Sequence, residues 1–181
     1  MSNLSTQDVV LSIEKTPLVN LDGIIFQEYQ DFFGNGFILP ELKNKNFVKL
    51  ELQEDLPRMR LDYKDDLMKK IRAFFMNRNV THALENKFKI ELKFESVDIW
   101  IDDEGYNLPS HTDDRRIKLA LQIYLGDDNV GTSLYINDET VKTFEYTFNS
   151  GYALLNNSKS LHGLDRPVQK AGRISLYARY S

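Results

Sequence analysis

Beyond Lys89 the sequence is one strand pattern after another, and that run limits what the chain can fold into. Lys89 to Asp102 alternates, with Val97, Ile99 and Ile101 on one side and Asp98, Trp100 and Asp102 on the other. Successive side chains of a strand point to opposite faces, so this is one apolar face and one polar face. Ile117–Leu125, Thr132–Ile136, Val141–Tyr146, Tyr152–Leu155 and Arg173–Tyr180 follow, with a turn signal at Gly126-Asp127-Asp128-Asn129. The first half is mixed. Pro17–Leu21 reads as a short strand, Ile24–Phe33 as a short helix closed by Gly34-Asn35-Gly36, and Phe47–Leu52 as a half-buried strand. Leu61–Arg78 is the strongest helix pattern, with Leu67, Ile71, Phe74 and Phe75 on one face and Asp62 as its cap, and Thr81–Lys87 suggests a second. Helices first and many short strands afterwards predict a mainly β, α+β chain: a jelly roll buttressed by N-terminal helices. The expected organisation is a single domain over 1–181, with 1–90 as support and 91–181 as the jelly-roll core.

Composition narrows the chemistry. At 181 residues, 41% hydrophobic and 28% charged, the chain can bury its own core. It has no cysteine, which excludes disulfides, iron–sulfur clusters, thiolate metal sites and cysteine nucleophiles. The net charge of −4 disfavours a nucleic-acid partner, whose phosphates call for a basic surface. No stretch is apolar enough to span a bilayer and no signal-peptide layout opens the chain, so the cytoplasm is the expected location. Oligomeric state is not legible. The histidines are three, His82, His111 and His162, and His82 reads as a surface residue.

His111-Thr112-Asp113 follows the long strand and its loop. In extended backbone, residues two apart point the same way, so an imidazole and a carboxylate converge. His162 lies about fifty residues on and can add a third ligand. Two histidines and one carboxylate on one face, with the other positions open, form the facial triad of non-haem Fe(II) oxygenases. About ten residues later, Arg173 and Ser175 share a strand face, a guanidinium fork and a hydroxyl suited to a buried carboxylate.

The order His-x-Asp, His, Arg-x-Ser resembles the Fe(II)/2-oxoglutarate-dependent oxygenases. Smaller motifs point to their prolyl 4-hydroxylase-like branch, of bacterial and phage type. Ile123-Tyr124-Leu125-Gly126 is similar to that branch's "YLN" strand, Gly131-Thr132-Ser133 to the Gly-Gly-x-Thr region after it, and Gly151–Ser158 with Leu161-His162-Gly163 to the approach to the distal histidine. Thr16-Pro17-Leu18-Val19 with the expected Ile24–Phe33 helix resembles the opening of many members. Two departures stand out. Arg173 takes a place where collagen-type enzymes usually present lysine, and Asn156-Asn157 replaces a common aromatic and proline. The carboxylate of Asp113 disfavours halogenation.

The resemblance implies a double-stranded β-helix, with Fe(II) held by His111, Asp113 and His162. It further implies 2-oxoglutarate as cosubstrate held by Arg173, Ser175 and Tyr124, O2 as oxidant, and hydroxylation of a protein side chain or small metabolite with release of succinate and CO2. Strand parity puts Gln122 inward with Tyr124 and marks Trp100 as a pocket wall. Arg115 becomes a rim residue that selects substrate, and Tyr177, in phase with Arg173 and Ser175, is expected to fill the barrel. A cupin-like metalloenzyme that does not use 2-oxoglutarate, and a non-catalytic jelly-roll binding module, are the competing readings.

Overall fold

A computed structural model describes residues 4–39, 42, 45–50 and 56–181. Its centre is an eight-stranded sheet that draws on both halves of the chain. The strands are β1 (Val19–Leu21), β2 (Ile24–Tyr29), β3 (Phe47–Val48), β4 (Arg58–Leu61), β5 (Phe94–Asp102), β6 (Leu119–Tyr124), β9 (Gly151–Leu155) and β11 (Arg173–Tyr180). They lie in the order β1-β2-β9-β6-β11-β5-β4-β3, every pair antiparallel. A smaller sheet, β10-β7-β8, is made of His162–Gly163, Ser133–Ile136 and Glu139–Thr143. Two such sheets with helices outside are the jelly-roll arrangement the strand run predicts.

The two faces of the large sheet have different neighbours. Val97, Ile99, Leu119, Leu121, Ile123, Leu176 and Ala178 form one core with three helices, α1 (Thr6–Lys15), α2 (Asp66–Phe75) and α3 (Arg78–Phe88). Leu67, Met68, Ile71, Phe74 and Phe75 supply the buried face of α2, and Val9 and Ile13, one turn apart, that of α1. On the other face, Phe26, Tyr124, Tyr152 and Leu154 pack against Leu134, Phe144 and Tyr146 from the small-sheet side. The polar side of β5 is therefore an inner wall. Asp98 and Asp102 are buried there.

Three expectations change. Ile24–Phe33 opens as a strand, because Asp22 and Gly23 both have positive φ (50° and 95°) and close a two-residue hairpin between β1 and β2. That turn matches the twist of paired strands, and the Asp-Gly pair overrides the helical spacing read after it. The expected Leu61–Arg78 helix is shorter at both ends. Leu61 ends β4, and Asp65 rather than Asp62 is the cap, accepting from Leu67 N at 2.8 Å. Asn77, in extended conformation, starts α3 anew and accepts from Asn79 N. Helix α1 has no counterpart in the sequence reading, although Ser5 caps it. Of the predicted Phe47–Leu52 strand, Phe47–Val48 is strand, and its last two residues lie outside the described residues. No helix among the described residues is long and apolar enough to cross a membrane.

Candidate functional site

Antiparallel register sets the inner wall in rungs. Arg58, Asp102 and Arg173 are cross-strand partners on one rung, and Arg60, Trp100, Ser175 and Tyr124 on the next in the same direction of side chains. Asp98, Tyr177, Gln122 and Tyr152 form the third. Since each set is two residues from the last along its strand, all three point to the same side.

The triad faces this wall. His111 and His162 are joined as a backbone bridge, each N–H donating to the other's carbonyl at 2.9 Å. The loop before His111 is stitched to the segment after His162 through Leu164 N to Leu108 O and Val168 N to Tyr106 O, both 2.8 Å. Gly163 allows this closeness, because a Cβ there would lie 2.6 Å from Leu108 O. The three candidate ligand atoms of His111, Asp113 and His162 lie within 4.8 Å of one another. Asp113 Oδ1 is 4.0 Å from His111 Nε2 and 3.9 Å from His162 Nε2.

Proton positions follow from the partners. His111 Nδ1 is 3.0 Å from Pro109 O and His162 Nδ1 is 2.9 Å from Ser160 O. A carbonyl can only accept, so Nδ1 carries a proton in both rings, which leaves Nε2 of a neutral ring as the nitrogen whose lone pair turns inward. Burial pushes the His162 pKa down, against the opposing pull of Asp113 and Ser160, which favours the neutral ring. Tyr177 Oη donates to Asp113, 2.8 Å from each oxygen. Asn156 Nδ2 donates to the carbonyls of Asp113, Asp114 and Ile117 and so fixes the backbone that carries Asp113. Two imidazoles with Nε2 turned inward, a carboxylate and anchored outer partners form a donor set that suits a divalent first-row metal.

The cavity between triad and wall has a volume of about 140 Å³ and reaches from Asp113 to Arg173 and Ser175. Arg173 is 1% exposed. Its Nε donates to Val130 O and its Nη1 to Asp102 Oδ2, both at 2.7 Å. Burial opposes its charge, but the carboxylate of Asp102 beside it outweighs that. Ser175 Oγ is buried beside it and, among the described residues, has no hydrogen-bond partner. An orphaned buried hydroxyl is costly and rare, and next to a guanidinium it fits an incoming carboxylate. Gln122, Thr132 and Tyr152 complete that end: Thr132 Oγ1 and Tyr152 Oη both donate to Gln122 Oε1.

Most residues read from the sequence thus meet at one cavity. Trp100 and Gln122 line it with the triad, Arg173 and Ser175. Tyr124 does not. It is fully buried, its ring lies against Arg173, and its hydroxyl accepts from Thr132 N at 2.8 Å. Arg115 is exposed and outside the cavity; it lines one groove with Arg116, Lys118 and Arg179, and a second with Thr112, Asp113 and Asn156. Tyr177 is a cavity residue bonded to Asp113, not mere barrel filling. Its phase with Arg173 and Ser175 was the available signal. Arg58 and Tyr106 also line the cavity and carry no motif that would single them out. His82 is exposed and bonds Glu85, as expected of a surface residue.

No family model matches the chain, and no curated protein matches it by sequence. Solved structures do match in shape. A 2OG-Fe(II) oxygenase family oxidoreductase from Burkholderia pseudomallei is 13% identical, with a TM-score of 0.53 over 95% of this chain and 75% of that one. AviO1 from Streptomyces viridochromogenes Tue57 is 10% identical, with a TM-score of 0.53 over 100% of this chain and 96% of that one. The viral collagen prolyl hydroxylase vCPH of Paramecium Bursaria Chlorella virus-1, in complex with 2OG, is 14% identical with a TM-score of 0.41, over 71% of this chain and 97% of that one. The fold is that of the 2OG-Fe(II) oxygenases, as the resemblance of the motifs implied.

Proposed function

We propose that this protein is an Fe(II)- and 2-oxoglutarate-dependent dioxygenase that hydroxylates a C–H bond of a protein side chain or small metabolite, releasing succinate and CO2. The observation that carries it is the triad: two histidines, each with Nδ1 bound to a carbonyl, aim Nε2 at the carboxylate of Asp113. The buried, unpartnered Ser175 Oγ beside Arg173 supports the cosubstrate over the cupin-like alternative, which needs no dicarboxylate clamp.

His111, Asp113 and His162 would hold the iron. The iron, when bound, supplies the site at which 2-oxoglutarate and oxygen react. Everything else falls to the chain's own side chains. Tyr177 and Asn156 keep Asp113 oriented, one through the carboxylate and the other through the backbone. Arg173 and Ser175 offer donors to the distal carboxylate of 2-oxoglutarate, and the Gln122–Thr132–Tyr152 cluster holds the cavity wall between them and the triad. Trp100, half-buried at the cavity, faces the substrate. The substrate is a protein or small molecule, and the cytoplasm is the proposed setting.

The test is succinate release. Protein loaded with Fe(II) and given 2-oxoglutarate and oxygen should form succinate slowly even without substrate, and His111→Ala should abolish it. Metal binding without any turnover or 2-oxoglutarate binding would favour the cupin-like reading, and no metal binding at all the binding-module reading.

A further inference from the structure

The rung Arg58–Asp102–Arg173 holds more than an arginine clamp. Asp102 is fully buried, yet it serves two guanidinium groups. Arg173 Nη1 meets Oδ2 at 2.7 Å, and Arg58 Nε meets Oδ1 at 2.6 Å, with Arg58 Nη2 3.4 Å from Oδ2. Arg58 itself is held between two rings, its guanidinium carbon 4.5 Å from the centre of Trp100 and 4.2 Å from that of Tyr106. Its side chain is 14% exposed. Two aromatic faces and a carboxylate fork leave it little freedom.

The charge count gives this arrangement a purpose. Arg173 with Asp102 alone is a neutral pair, and a neutral pair attracts an anion poorly. Worse, Asp102 would repel an arriving carboxylate. Arg58 cancels Asp102, so the rung carries a net single positive charge and Arg173 is left to act as a cation. One incoming carboxylate then balances the rung at two cations and two anions, and Ser175 Oγ supplies the matching donor.

Resting on the oxygenase reading above, we infer that Arg58 is a positioning residue for the cosubstrate: by neutralising Asp102 it frees Arg173 for the distal carboxylate, and so makes the cavity selective for 2-oxo dicarboxylates over 2-oxo monocarboxylates. Asp102 in turn orders both guanidinium groups. The selectivity thus depends on a residue from the part of the chain before Lys89, in a strand, β4, that carries none of the triad.

Calorimetry on Mn(II)-loaded protein tests this without turnover. The ligands are 2-oxoglutarate and 2-oxovalerate, which has the same chain length but no distal carboxylate. Arg58→Met should weaken 2-oxoglutarate by about tenfold or more, the scale of one unit charge across several ångströms of protein, and change 2-oxovalerate by less than about twofold. Arg58→Met combined with Asp102→Asn should regain most of the lost 2-oxoglutarate affinity, because Arg173 is again an unopposed cation. A merely structural role for Arg58 does not give that rescue. If Arg58→Met fails to fold, Arg58→Lys should keep the wild-type preference, and Asp102→Asn alone should bind 2-oxoglutarate at least as tightly as the wild type. An unchanged preference in Arg58→Met, a double variant as weak as the single one, or loss of the preference in Arg58→Lys overturns the inference alone. A wild type that binds Mn(II) but not 2-oxoglutarate overturns the oxygenase reading, and the inference with it.

Discussion

Tyr177→Phe removes one oxygen atom and separates two roles of the same hydrogen bond. The hydroxyl has a single proton, shared between two carboxylate oxygens at 2.8 Å each, so it counts as one bond to a charged acceptor. Such a bond contributes about 1.5–3 kcal/mol. It is already made in the metal-free protein, where Tyr177 donates to a carboxylate that lies about 4 Å from both imidazole Nε2 atoms. Most of its strength must therefore appear as stability of the metal-free fold. Only its orienting share appears in metal affinity, at the low end of the 10–100-fold typical of outer partners, about tenfold. Urea unfolding with a chelator present measures the first quantity, and competition with a metal-binding dye the second. We expect a loss of about 1.5–3 kcal/mol in the former and about tenfold in the latter. A stability change under about 0.5 kcal/mol together with unchanged metal affinity would refute the placement of Tyr177 behind the triad.

The remaining predictions concern the other supports. Arg173→Ala should weaken 2-oxoglutarate binding by about 2–5 kcal/mol, the cost of leaving a buried charge partner unmet, while metal affinity measured alone stays near wild type. Asn156→Ala frees three backbone carbonyls around Asp113, and should lower stability by about 1–3 kcal/mol and metal affinity with it. Gly131→Ala should prevent a native fold, since its Cβ would lie 1.7 Å from Phe144 O, and backbone there cannot give way. Its circular dichroism and thermal melt should show that loss, whereas Gly172→Ala, which meets nothing within 4 Å, should leave a native melt weakened only by its φ of 88°.

What the sequence disclosed depended on whether the signal was local. The ligand set was legible because parity pairs His111 with Asp113 and Arg173 with Ser175, and no other late histidine competes with His162. The β-rich half was legible for the same reason, and Leu119 to Leu125 divided between helix side and inner side as alternation requires. The hairpin at Asp22-Gly23 was also local, but Ile25, Tyr29 and Phe33 fall at helical spacing and obscured it. Arg58 was not legible at all. Its meaning comes from pairing with Asp102, which is a matter of register between β4 and β5, and register between distant strands leaves no mark in either one. Tyr124 shows the converse. Its motif suggested a donor to the cosubstrate, yet it does not line the cavity, and its oxygen accepts from Thr132 N, a partner set by the turn after β6. Asn156, a departure from the familiar pattern, has its own work in holding the Asp113 loop.

In the proposed function, one cavity brings together a metal and a 2-oxo dicarboxylate. The most direct measurement is the visible spectrum of the protein under anaerobic conditions, with Fe(II) first and 2-oxoglutarate added afterwards. We expect a charge-transfer band that grows with 2-oxoglutarate, vanishes in His111→Ala, and needs far more 2-oxoglutarate in Arg173→Ala. Fe(II) bound at the triad with no band at any concentration of 2-oxoglutarate would contradict it.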